Sequence, residues 1–446
     1  MSSSSDANAV NTDSPNKHST LTEWLDYMQQ IHVSAIDMGL SRVLPVAKYL
    51  GVVQSAKDDA YVFTVAGTNG KGSTTAIINE MCQVAGYKTA LYQSPHLQAF
   101  NERVRINGEM VNDQTLIEAF SKVETARLEC KLTLSFFEMT TLAAFLIFAE
   151  ADCDVWVLEV GLGGRLDVVN IVDPDMAVIT NIGIDHVEWL GDNVEDIGFE
   201  KAGILRDNIP LVYGAPKMPT SVQQKIAAHN VTCYQIEKDF DYRIIDAQTW
   251  QYSSAAVTLQ LPRPSLSLMN TANALSAVLA SSLTIGVDAI EQALQSVKLA
   301  GRFDYREIAE RQWLFDVAHN EQGVEYLLSQ LLPLWKQHSS YKPSPSIKML
   351  FSMLGDKDIA HVVERLTAAG LLITDWYVAE IDHPRAASIE QLQTALLSYV
   401  DNTQVHIYTD LQQATQAVLD NSLVEDLIVV CGSFHTIGEA FAALGV

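Results

Sequence analysis

Cysteines, basic residues and long apolar runs are all scarce in this sequence. The cysteines form no Cys-x-x-Cys pair, so neither a zinc site nor a disulfide framework is predicted, and a reducing cytoplasm fits best. No apolar run approaches the roughly 20 residues that cross a bilayer. Residues 1–20 are polar, without a basic start or an apolar segment, which predicts a disordered segment and not a signal peptide. We therefore expect a globular cytoplasmic protein that does not bind membranes.

Basic residues are outnumbered by acidic ones. Lys and Arg total 29 while Asp and Glu total 54, giving a formal net charge of −25. This charge argues against non-specific binding to nucleic acid, and it means that an anionic substrate must be held by local cations. The 446 residues, of which 48% are hydrophobic, suffice for two or three domains. Because no coiled-coil heptad or extended apolar stripe occurs, we expect a monomer.

Short apolar runs alternate with helical periodicity along most of the chain. This pattern predicts an α/β fold with parallel sheets covered on both faces. Strands are expected first at 61–66, 88–94, 154–160, 176–182 and 210–214, and then in a second series at 312–318, 346–352, 375–380, 404–409 and 426–433. Helices are expected at 73–85, 136–151, 195–204 and 270–283, and an antiparallel excursion at 242–262.

The stretch "GTNGKGS" at 67–73 follows the first predicted strand. In the common phosphate loop a glycine is followed by four residues and then by Gly-Lys-Ser/Thr. Here Val65 replaces the first glycine, and Gly72 separates Lys71 from Ser73. Glycines let backbone N–H groups point into one concavity, and the helix expected to begin at or just after Ser73 adds positive potential. The loop alone is consistent with a nucleotide site or with a glycine-rich turn that carries a surface lysine.

Further polar residues follow predicted strands or lie on a later helix. Glu159 ends a strand, where it could hold Mg²⁺ or cap the glycine-rich turn that follows. Asp185 and His186 follow another strand, and a lone histidine there is more often structural than a ligand. Lys201 falls on a predicted helix, where most lysines are solvated. Taken singly, these residues leave both interpretations open.

The motifs taken together resemble a known family, the folylpolyglutamate synthases and bifunctional dihydrofolate synthases, which are relatives of the Mur peptide ligases. The matching motifs are "GTNGKGS" (67–73), "SPHL" (94–97), "ERVRING" (102–108), "SFFEMTTLAAF" (135–145), "EVGLGGRLDVVNIV" (159–172), "TNIGIDHVEWLG" (180–191), "EKAGI" (200–204), "GRF" (301–303), "DVAHN" (316–320), "MLGDKD" (353–358) and "GSFHTIGE" (432–439). The resemblance covers the chain after about residue 20, and the offset loop is itself this family's form.

The domain organisation follows from the two series of strands and from this resemblance. Residues 21–300 are expected to form an ATP-binding domain with a parallel sheet and a phosphate loop. Residues 303–446 are expected to form a smaller Rossmann-like α/β domain that completes the glutamate ligase. Because ligands of open α/β sheets lie beyond the carboxyl ends of the strands, the active site is expected in the cleft between the domains.

The resemblance implies an ATP site with metal ions. The implied nucleotide-binding residues are Gly67, Thr68, Asn69, Gly70, Lys71, Gly72, Ser73, Asn270, Arg302 and Asp316, the last three at the base, the phosphates and the ribose. The implied ligands of Mg²⁺, which we expect to number two ions, are Ser73, Ser94, Glu159, His186 and Lys201. Lys201 matches a lysine that CO₂ carbamylates, and the carbamate would replace an unpaired buried ammonium by an anionic oxygen ligand. Lys71, Lys201 and His186 are the implied catalytic residues.

The resemblance also implies where the other substrates bind. The implied pterin-side residues are Asp37, Ser135, Phe136, Phe137 and Leu166, and the implied glutamate-binding residues are His319 and Ser433. Arg165 and Arg302 are candidate cations for an anionic substrate, although a surface position is equally consistent for Arg165. The chain departs from the family at Glu321, where a proline commonly follows "DVAHN".

The implied reaction is ATP-dependent amide formation through an acyl phosphate. The version of "SFFEMTTLAAF" found here resembles that of dihydropteroate-binding members, so we expect glutamate to be added both to dihydropteroate and to reduced folates. The alternatives are a monofunctional folylpolyglutamate synthase, a Mur-type ligase that acts on a UDP-sugar, and a nucleotide-dependent switch without ligase activity. The switch does not explain why Ser94, Glu159, His186 and Lys201 occur together.

Overall fold

The computed structural model describes residues 14–32, 39–340 and 344–446. The first sheet contains β1 (Tyr61–Ala66), β2 (Thr89–Tyr92), β3 (Val104–Ile106), β4 (Glu109–Met110), β5 (Val155–Glu159), β6 (Met176–Ile179), β7 (Pro210–Tyr213) and β8 (Thr232–Gln235). Their order across the sheet is β4-β3-β2-β5-β1-β6-β7-β8. All pairs are parallel except those formed by β3, so one antiparallel hairpin edges a parallel sheet.

The centre of this sheet positions the site. β1 lies between β5 and β6, and β2 lies on the far side of β5. The connection from β1 to β2 and the connection from β5 to β6 therefore run in opposite directions along the sheet. The residues of β2, β5 and β6 are all buried, as expected for strands covered on both faces. Crevices form where the connections diverge, beyond the carboxyl ends of the strands. The loops after β1, β5 and β6 therefore meet in one crevice.

Helices and a small second sheet surround these strands. The helices before residue 300 are α1 (Leu21–Gln30), α2 (Val43–Tyr49), α3 (Val52–Asp59), α4 (Lys71–Val84), α5 (Asp113–Glu129), α6 (Phe136–Glu150), α7 (Val187–Leu190), α8 (Val194–Lys201), α9 (Thr220–Ala228), α10 (Leu268–Ala280) and α11 (Val287–Ser296). The antiparallel strands β9 (Phe240–Ile244), β10 (Thr249–Ser254) and β11 (Thr258–Pro262) pack through Trp250 and Tyr252 against the core that contains α4 and α10. None of the helices in the described residues is long and apolar enough to cross a membrane.

A third sheet follows in the C-terminal part. It contains β12 (Asp304–Ile308), β13 (Arg311–Asp316), β14 (Ile347–Phe351), β15 (Ile373–Val378), β16 (Val405–Ile407) and β17 (Leu427–Cys431), in the order β12-β13-β17-β14-β15-β16. Only β12 is antiparallel to its neighbour. The accompanying helices are α12 (Glu321–Ser340), α13 (Ile359–Ala368), α14 (Ile389–Leu397), α15 (Leu411–Asn421) and α16 (Phe434–Leu444). The predicted domain boundary at residues 300–303 remains a prediction, and β12 begins just after it.

Both predicted series of strands are confirmed to within two or three residues at each end. One helix start was wrong: α4 begins at Lys71 and not at or after Ser73, because Gly70, with φ of +83°, reverses the chain two residues earlier. The edge strands β4, β8 and β12, and β3 next to an edge, were not predicted. They are short and partly exposed, so they lack the continuous apolar run that marks an inner strand.

Candidate active site

The loop between β1 and α4 follows the carboxyl end of a central strand. A side chain at Gly70 would collide with the Asn270 amide, and the positive φ there also favours glycine. α4 starts immediately after Gly70, and the first N–H groups of a helix have no partners within it. The loop thus presents N–H donors together with the positive end of a helix dipole, which is the combination that binds phosphate.

Two lysines converge on one carbonyl oxygen of this loop. Lys71 Nζ lies 3.1 Å from Gly67 O, and Lys201 Nζ lies 2.9 Å from the same oxygen. Lys201 is only 4% exposed, and burial, together with the charge of Lys71, lowers its pKa to about 7. Burial also lowers the pKa of Lys71, against the opposing effect of Glu159. Lys201 is therefore not a solvated helix lysine, and its amine is partly neutral near pH 7.

Glu159 ends β5 directly beside β1. The carboxylate is buried, and burial raises its pKa to about 7, although Lys71 and Arg302 lower it. Arg302 stacks on Phe434, with the guanidinium carbon 4.6 Å from the ring centroid, and its buried Nη1 has no hydrogen-bond partner in the described part of the chain. A buried carboxylate and a buried, incompletely paired guanidinium facing one space are typical of a site for charged ligands.

A cavity of about 480 Å³, here called the loop cavity, lies between this loop and the third sheet. Its lining includes the predicted residues Thr68, Asn69, Gly70, Lys71, Gly72, Ser73, Ser94, Glu159, His186, Asn270, Arg302, Asp316 and His319. Asn270 Oδ1 is buried without a partner among the described residues. Asp316 accepts hydrogen bonds from the N–H groups of Phe303 and Ala318, at 2.8 and 2.9 Å, which fixes its carboxylate at the wall. Gly67 and Lys201 line a smaller recess beside it.

One side of the loop cavity is bridged by hydrogen bonds between Asn69 and Asn320, which precedes α12. Asn69 Nδ2 donates to Asn320 Oδ1 at 3.3 Å, and Asn320 Nδ2 donates to Asn69 Oδ1 at 3.2 Å. Asn320 Oδ1 also accepts from the Gly323 N–H at 2.9 Å, so it caps α12. Glu321 is the first residue of that helix, a position where proline is common and where an acidic side chain is also favourable. The exchange of the family's proline for Glu321 therefore preserves the helix start.

A second cavity, of about 630 Å³, adjoins the first. We call it the aromatic cavity, and its apolar wall is formed by Phe137, Leu162, Leu166, Val168 and Trp189. Both cavities are lined by Ser94, Pro95, Gly161, Asp185 and His186, so a ligand can extend from one into the other. A flat apolar ligand in the aromatic cavity would thus have one end beside the phosphate loop.

Only some of the predicted pterin-side residues line the aromatic cavity. Phe137 and Leu166 line the aromatic cavity, and Ser135 lines it while also capping α6, since its Oγ accepts from the Glu138 N–H. Phe136 does not line it and packs edge-on against Phe100, with ring centroids 6.1 Å apart. Asp37 lies outside the described residues.

His186 and Asp185 lie where the two cavities meet. His186 has a left-handed backbone, with φ of +52°, and its partly exposed imidazole lies 3.9 Å from Asp185. Asp185 pairs with Lys357 at 2.7 Å, and His186 and Lys357 together hold the pKa of Asp185 below its usual range despite burial. Across the described residues, no group of three His, Cys, Asp or Glu side chains is arranged to hold a metal ion.

Of the remaining predicted residues, only His319 lines one of the two cavities. His319 lies in the loop cavity, its Nδ1 donates to the Val317 carbonyl at 2.8 Å, and burial lowers its pKa to about 4, so the imidazole is neutral at pH 7. The Ser433 hydroxyl is buried and caps α16 by accepting from the Thr436 N–H at 3.0 Å. Arg165 pairs with Glu200 at 2.8 Å, stays partly exposed and lines neither cavity.

Several residues of the aromatic cavity were not predicted, and three of the charged ones are Asp167, Arg103 and Lys357. Asp167 accepts from the N–H groups of Leu162 and Val169 at 2.8 and 2.9 Å, and burial raises its pKa to about 6. Arg103 and Lys357 supply cations to the same cavity. All three lie inside motifs that the sequence shares with the family. Their charge and their place in those motifs could have identified them as candidate site residues.

Comparisons with known proteins agree with this architecture. Residues 65–281 match the Mur ligase middle domain, and residues 301–434 match the Mur ligase, glutamate ligase domain. A dihydrofolate synthase/folylpolyglutamate synthase of Escherichia coli is 39% identical over 431 residues, which cover 96% of this chain and 97% of that protein. The Haemophilus influenzae enzyme of the same name is 36% identical over 445 residues, covering 96% and 98%. The structure of E. coli FolC in complex with DHPP and ADP superposes with a TM-score of 0.88 at 37% identity, covering 97% of this chain and 99% of that one.

A phosphate loop on a central parallel strand, a second α/β sheet beyond it and a cavity between them define an ATP-dependent ligase of the Mur type. Within that class, the chain belongs to the dihydrofolate synthase/folylpolyglutamate synthase family.

Proposed function

We propose that this protein joins L-glutamate to dihydropteroate, giving dihydrofolate, and to reduced folates, extending their glutamyl chain, with ATP as the energy source. The observation that carries the proposal is the junction of the loop cavity with the aromatic cavity at Ser94 and His186. One cavity suits a nucleotide phosphate chain and the other suits a planar heterocycle. A pterin substrate spanning them would present its carboxylate to the γ-phosphate.

The nucleotide would bind in the loop cavity. The backbone N–H groups at the start of α4 and the ammonium of Lys71 would hold the phosphates. Asn270, with an unpartnered buried Oδ1, would hydrogen-bond the base, and Asp316 would accept from the ribose hydroxyls. Arg302 has a free buried Nη1 with which to contact the phosphates. Asn270 Oδ1 and Arg302 Nη1 are buried polar atoms without a partner in the described part of the chain, which supports a ligand of matching polarity.

The donor set fits divalent metal. Ser73 and Ser94 offer hydroxyl oxygens, Glu159 offers a buried carboxylate, and His186 offers an imidazole at the cavity junction. Mg²⁺ is usually held by one or two carboxylates completed by phosphate oxygens and water, so no cluster of three acidic side chains is required. We propose that these residues hold Mg²⁺ and that Lys201 serves a second ion. When bound, the metal would neutralise charge on the phosphates.

Lys201 is the residue best suited to carbamylation. Its pKa of about 7 leaves a fraction of neutral amine at physiological pH, and only the neutral amine is nucleophilic. The nitrogen lone pair forms a bond to the carbon of CO₂, one proton leaves to solvent, and the product is an anionic carbamate. That change replaces a buried ammonium beside Lys71, which costs free energy, by an anion that attracts Lys71.

The pterin would lie in the aromatic cavity. Phe137, Leu166 and Trp189 offer apolar and aromatic surface, and the carboxylate of Asp167 offers acceptors for the ring N–H groups. Asp167 is already oriented by two backbone N–H groups, which fixes its position. His319 and Ser433 are proposed for the incoming glutamate, and the neutral imidazole of His319 would act through hydrogen bonding rather than charge.

The reaction then follows from position and charge. An oxygen of the acceptor carboxylate attacks the γ-phosphorus, the bond to the β-phosphate oxygen breaks, and ADP leaves. The glutamate amine attacks the resulting acyl phosphate, loses a proton, and phosphate departs as the amide forms. Lys71 and Arg302 offset the charge that gathers on the phosphates, and contacts such as Asn69 to Asn320 help keep water from the acyl phosphate.

A substrate panel tests the proposal. Purified protein is incubated with Mg-ATP, L-glutamate and either dihydropteroate, tetrahydrofolate or a UDP-muramyl acceptor, and products are measured by mass spectrometry alongside ADP release. We expect dihydrofolate from the first and glutamylated tetrahydrofolate from the second, with neither from the K71M variant. Turnover of dihydropteroate alone would restrict the proposal to one activity, and turnover of only the UDP-muramyl acceptor would refute it. We also expect a monomer by size-exclusion chromatography with light scattering.

A further inference from the structure

Three cations line the aromatic cavity, and they differ in how they are paired. Lys357 pairs with Asp185 at 2.7 Å, and Arg385 pairs with Asp356 at 2.6 Å. Both carboxylate partners also line the cavity, so these two charges are compensated from within. No Asp or Glu of the described residues lies within ion-pair distance of the third cation, Arg103.

The nearest candidates to neutralise Arg103 are occupied or neutral. Its Nε donates to His96 Nδ1 at 2.9 Å, and burial lowers the pKa of His96 to about 4, so this imidazole is uncharged at pH 7. Glu102, the adjacent residue, accepts instead from the backbone N–H groups of Leu97, Gln98 and Ala99, at 2.7 to 2.8 Å.

Two acidic residues across the cavity, Glu138 and Asp167, are likewise committed, whereas Glu188 also lines the cavity but forms no ion pair with Arg103. Glu138 pairs with Arg42 at 2.7 Å and accepts from the Ser135 N–H at 2.6 Å. Asp167 accepts from two backbone N–H groups. Among the described residues, the wall therefore contains one guanidinium without a carboxylate in ion-pair contact, although the more distant charges of Glu102 and Glu159 and a hydrogen bond with Tyr92 favour its charged form.

Such a cation is costly unless a ligand compensates it. Removing an ionised side chain from water costs several kcal/mol by general estimates, and attraction to an opposite charge is what normally offsets this cost. Arg103 is held in place by His96 and by the ring of Phe100, 5.2 Å from the guanidinium carbon. With Nε engaged, the two terminal NH₂ groups can still form the paired hydrogen bonds that guanidinium makes to a carboxylate.

The position of Arg103 identifies the ligand group. It lines the aromatic cavity together with Ser94 and Pro95, the residues that the aromatic cavity shares with the loop cavity. The acceptor carboxylate must reach this junction, because there it meets the γ-phosphate. Both groups are anionic and repel each other, so a cation that binds the carboxylate assists their approach.

We propose that Arg103 binds the carboxylate of the pterin-bearing substrate and holds it at the junction of the two cavities. This inference rests on the proposed function, since it assigns the residue that receives the reacting end of that substrate. Lys357 and Arg385, already paired, contribute less to this recognition. Arg103 is thus a substrate-binding residue that discriminates an acid from a neutral analogue of the same shape.

A comparison of two ligands and several variants tests this assignment by equilibrium binding, without turnover. Dihydropteroate and its carboxamide, which differ only in charge at the reacting end, are titrated by calorimetry against the wild type and R103M. We expect the wild type to prefer the acid by about tenfold or more, as charge-assisted hydrogen bonds imply. In R103M this preference should fall to about twofold or less, while affinity for the carboxamide and for ADP changes little.

The control is R105M. Arg105 lies two residues further along the same segment, donates to the carbonyls of Glu102 and Gly108, and is not part of the aromatic cavity wall. R105M should keep the full preference for the acid. If R103M does not fold, R103Q, which keeps a polar group beside His96, is measured in its place.

The possible outcomes separate the two proposals. Retention of the acid preference in R103M or R103Q refutes the role of Arg103 and leaves the proposed function intact. Failure of the wild type to bind either pterin ligand refutes the proposed function and this inference with it. In steady-state kinetics the KM for dihydropteroate should rise in R103M while the KM for ATP stays unchanged, a difference that a merely structural role would not produce.

Discussion

Lys357 and Asp185 form an ion pair of 2.7 Å between the third sheet and the loop that follows β6. Their side chains are 11% and 12% exposed, so the pair is largely withdrawn from water. The two residues are 172 positions apart in the chain, and His186 lies next to the pair. The contact therefore links the C-terminal sheet directly to the junction of the two cavities.

Breaking this pair should destabilise the protein. K357M leaves the Asp185 carboxylate without its partner, and we expect the free energy of unfolding in urea to fall by about 2–4 kcal/mol. The double variant D185N/K357M should lose less than K357M, because neither charge is then left unpaired. K122M, which removes an exposed pair with Glu150, serves as the control and should cost at most about 0.5 kcal/mol. Additive losses in the double variant would show that the two charges do not interact.

Replacing Gly70 should weaken nucleotide binding. G70A places a methyl group against Asn270 and forces alanine into a left-handed conformation, so the loop must shift. We expect the Kd for ADP, measured by calorimetry, to rise more than about tenfold, since a shift of roughly 1 Å suffices to misplace binding groups. G86A is the matched control, because Gly86 also has a positive φ, +96°, but open space around it. Equal effects of the two variants would attribute the loss to backbone strain alone.

Lys201 should be required as a carbamate and not merely as a lysine. K201A should reduce ligation on the order of 100-fold or more, in line with the loss of a metal-site group. Short carboxylic acids such as acetate should restore part of that activity, because they can place a carboxylate where the proposed carbamate would lie. Carbon-13 NMR of the wild type in labelled bicarbonate should show a carbamate signal that K201A lacks. K225A, which removes a lysine stacked on Phe199, should retain both activity and signal.

His319 should make stability depend on pH in the acid range. Its pKa in the folded protein is about 4, below the ordinary value of 6.5, so the unfolded chain binds a proton that the native state does not. The stability contribution is therefore complete above pH 6.5 and is lost progressively as the pH falls towards 4, by at most about 3 kcal/mol. Urea unfolding between pH 7 and pH 4 should show a shallower loss for H319Q than for the wild type. H18Q, at an exposed histidine, should leave the wild-type slope unchanged.

Some of the site was predictable because it depends on neighbours in the chain. The strand before "GTNGKGS", the glycine at position 70 and the lysine that follows it indicated a candidate phosphate loop through local geometry, and the other motifs of the resemblance favoured it over a glycine-rich turn. The exact start of α4 was less predictable, since it is set by the left-handed Gly70. The polar residues after β5 and β6 were also found in advance, because the carboxyl ends of parallel strands meet at one edge of a sheet.

Other features required the folded protein. Phe136 and Phe137 are adjacent in the sequence, yet one packs on Phe100 and the other faces the aromatic cavity, because successive residues on a helix point in directions about 100° apart. The hydroxyl of Ser433 caps a helix, a role that only the backbone around it reveals. Asp167 and Lys357 were visible as charged residues in motifs, but nothing local says what they contact.

The sequence by itself determined the order of most strands and helices, because periodicity and turn chemistry act over a few residues, and the resemblance of its motifs indicated the phosphate loop and the family. Tertiary structure alone decided which charges are paired. Lys357 pairs with Asp185 across the molecule, whereas Arg103 forms no ion-pair contact within the described part of the chain, although Glu102 is its neighbour in the sequence. Electrostatic pairing depends on distances of a few ångströms between elements that are far apart in sequence. No pattern along the chain encodes those distances. They determine which residues of the separate motifs come together as a site.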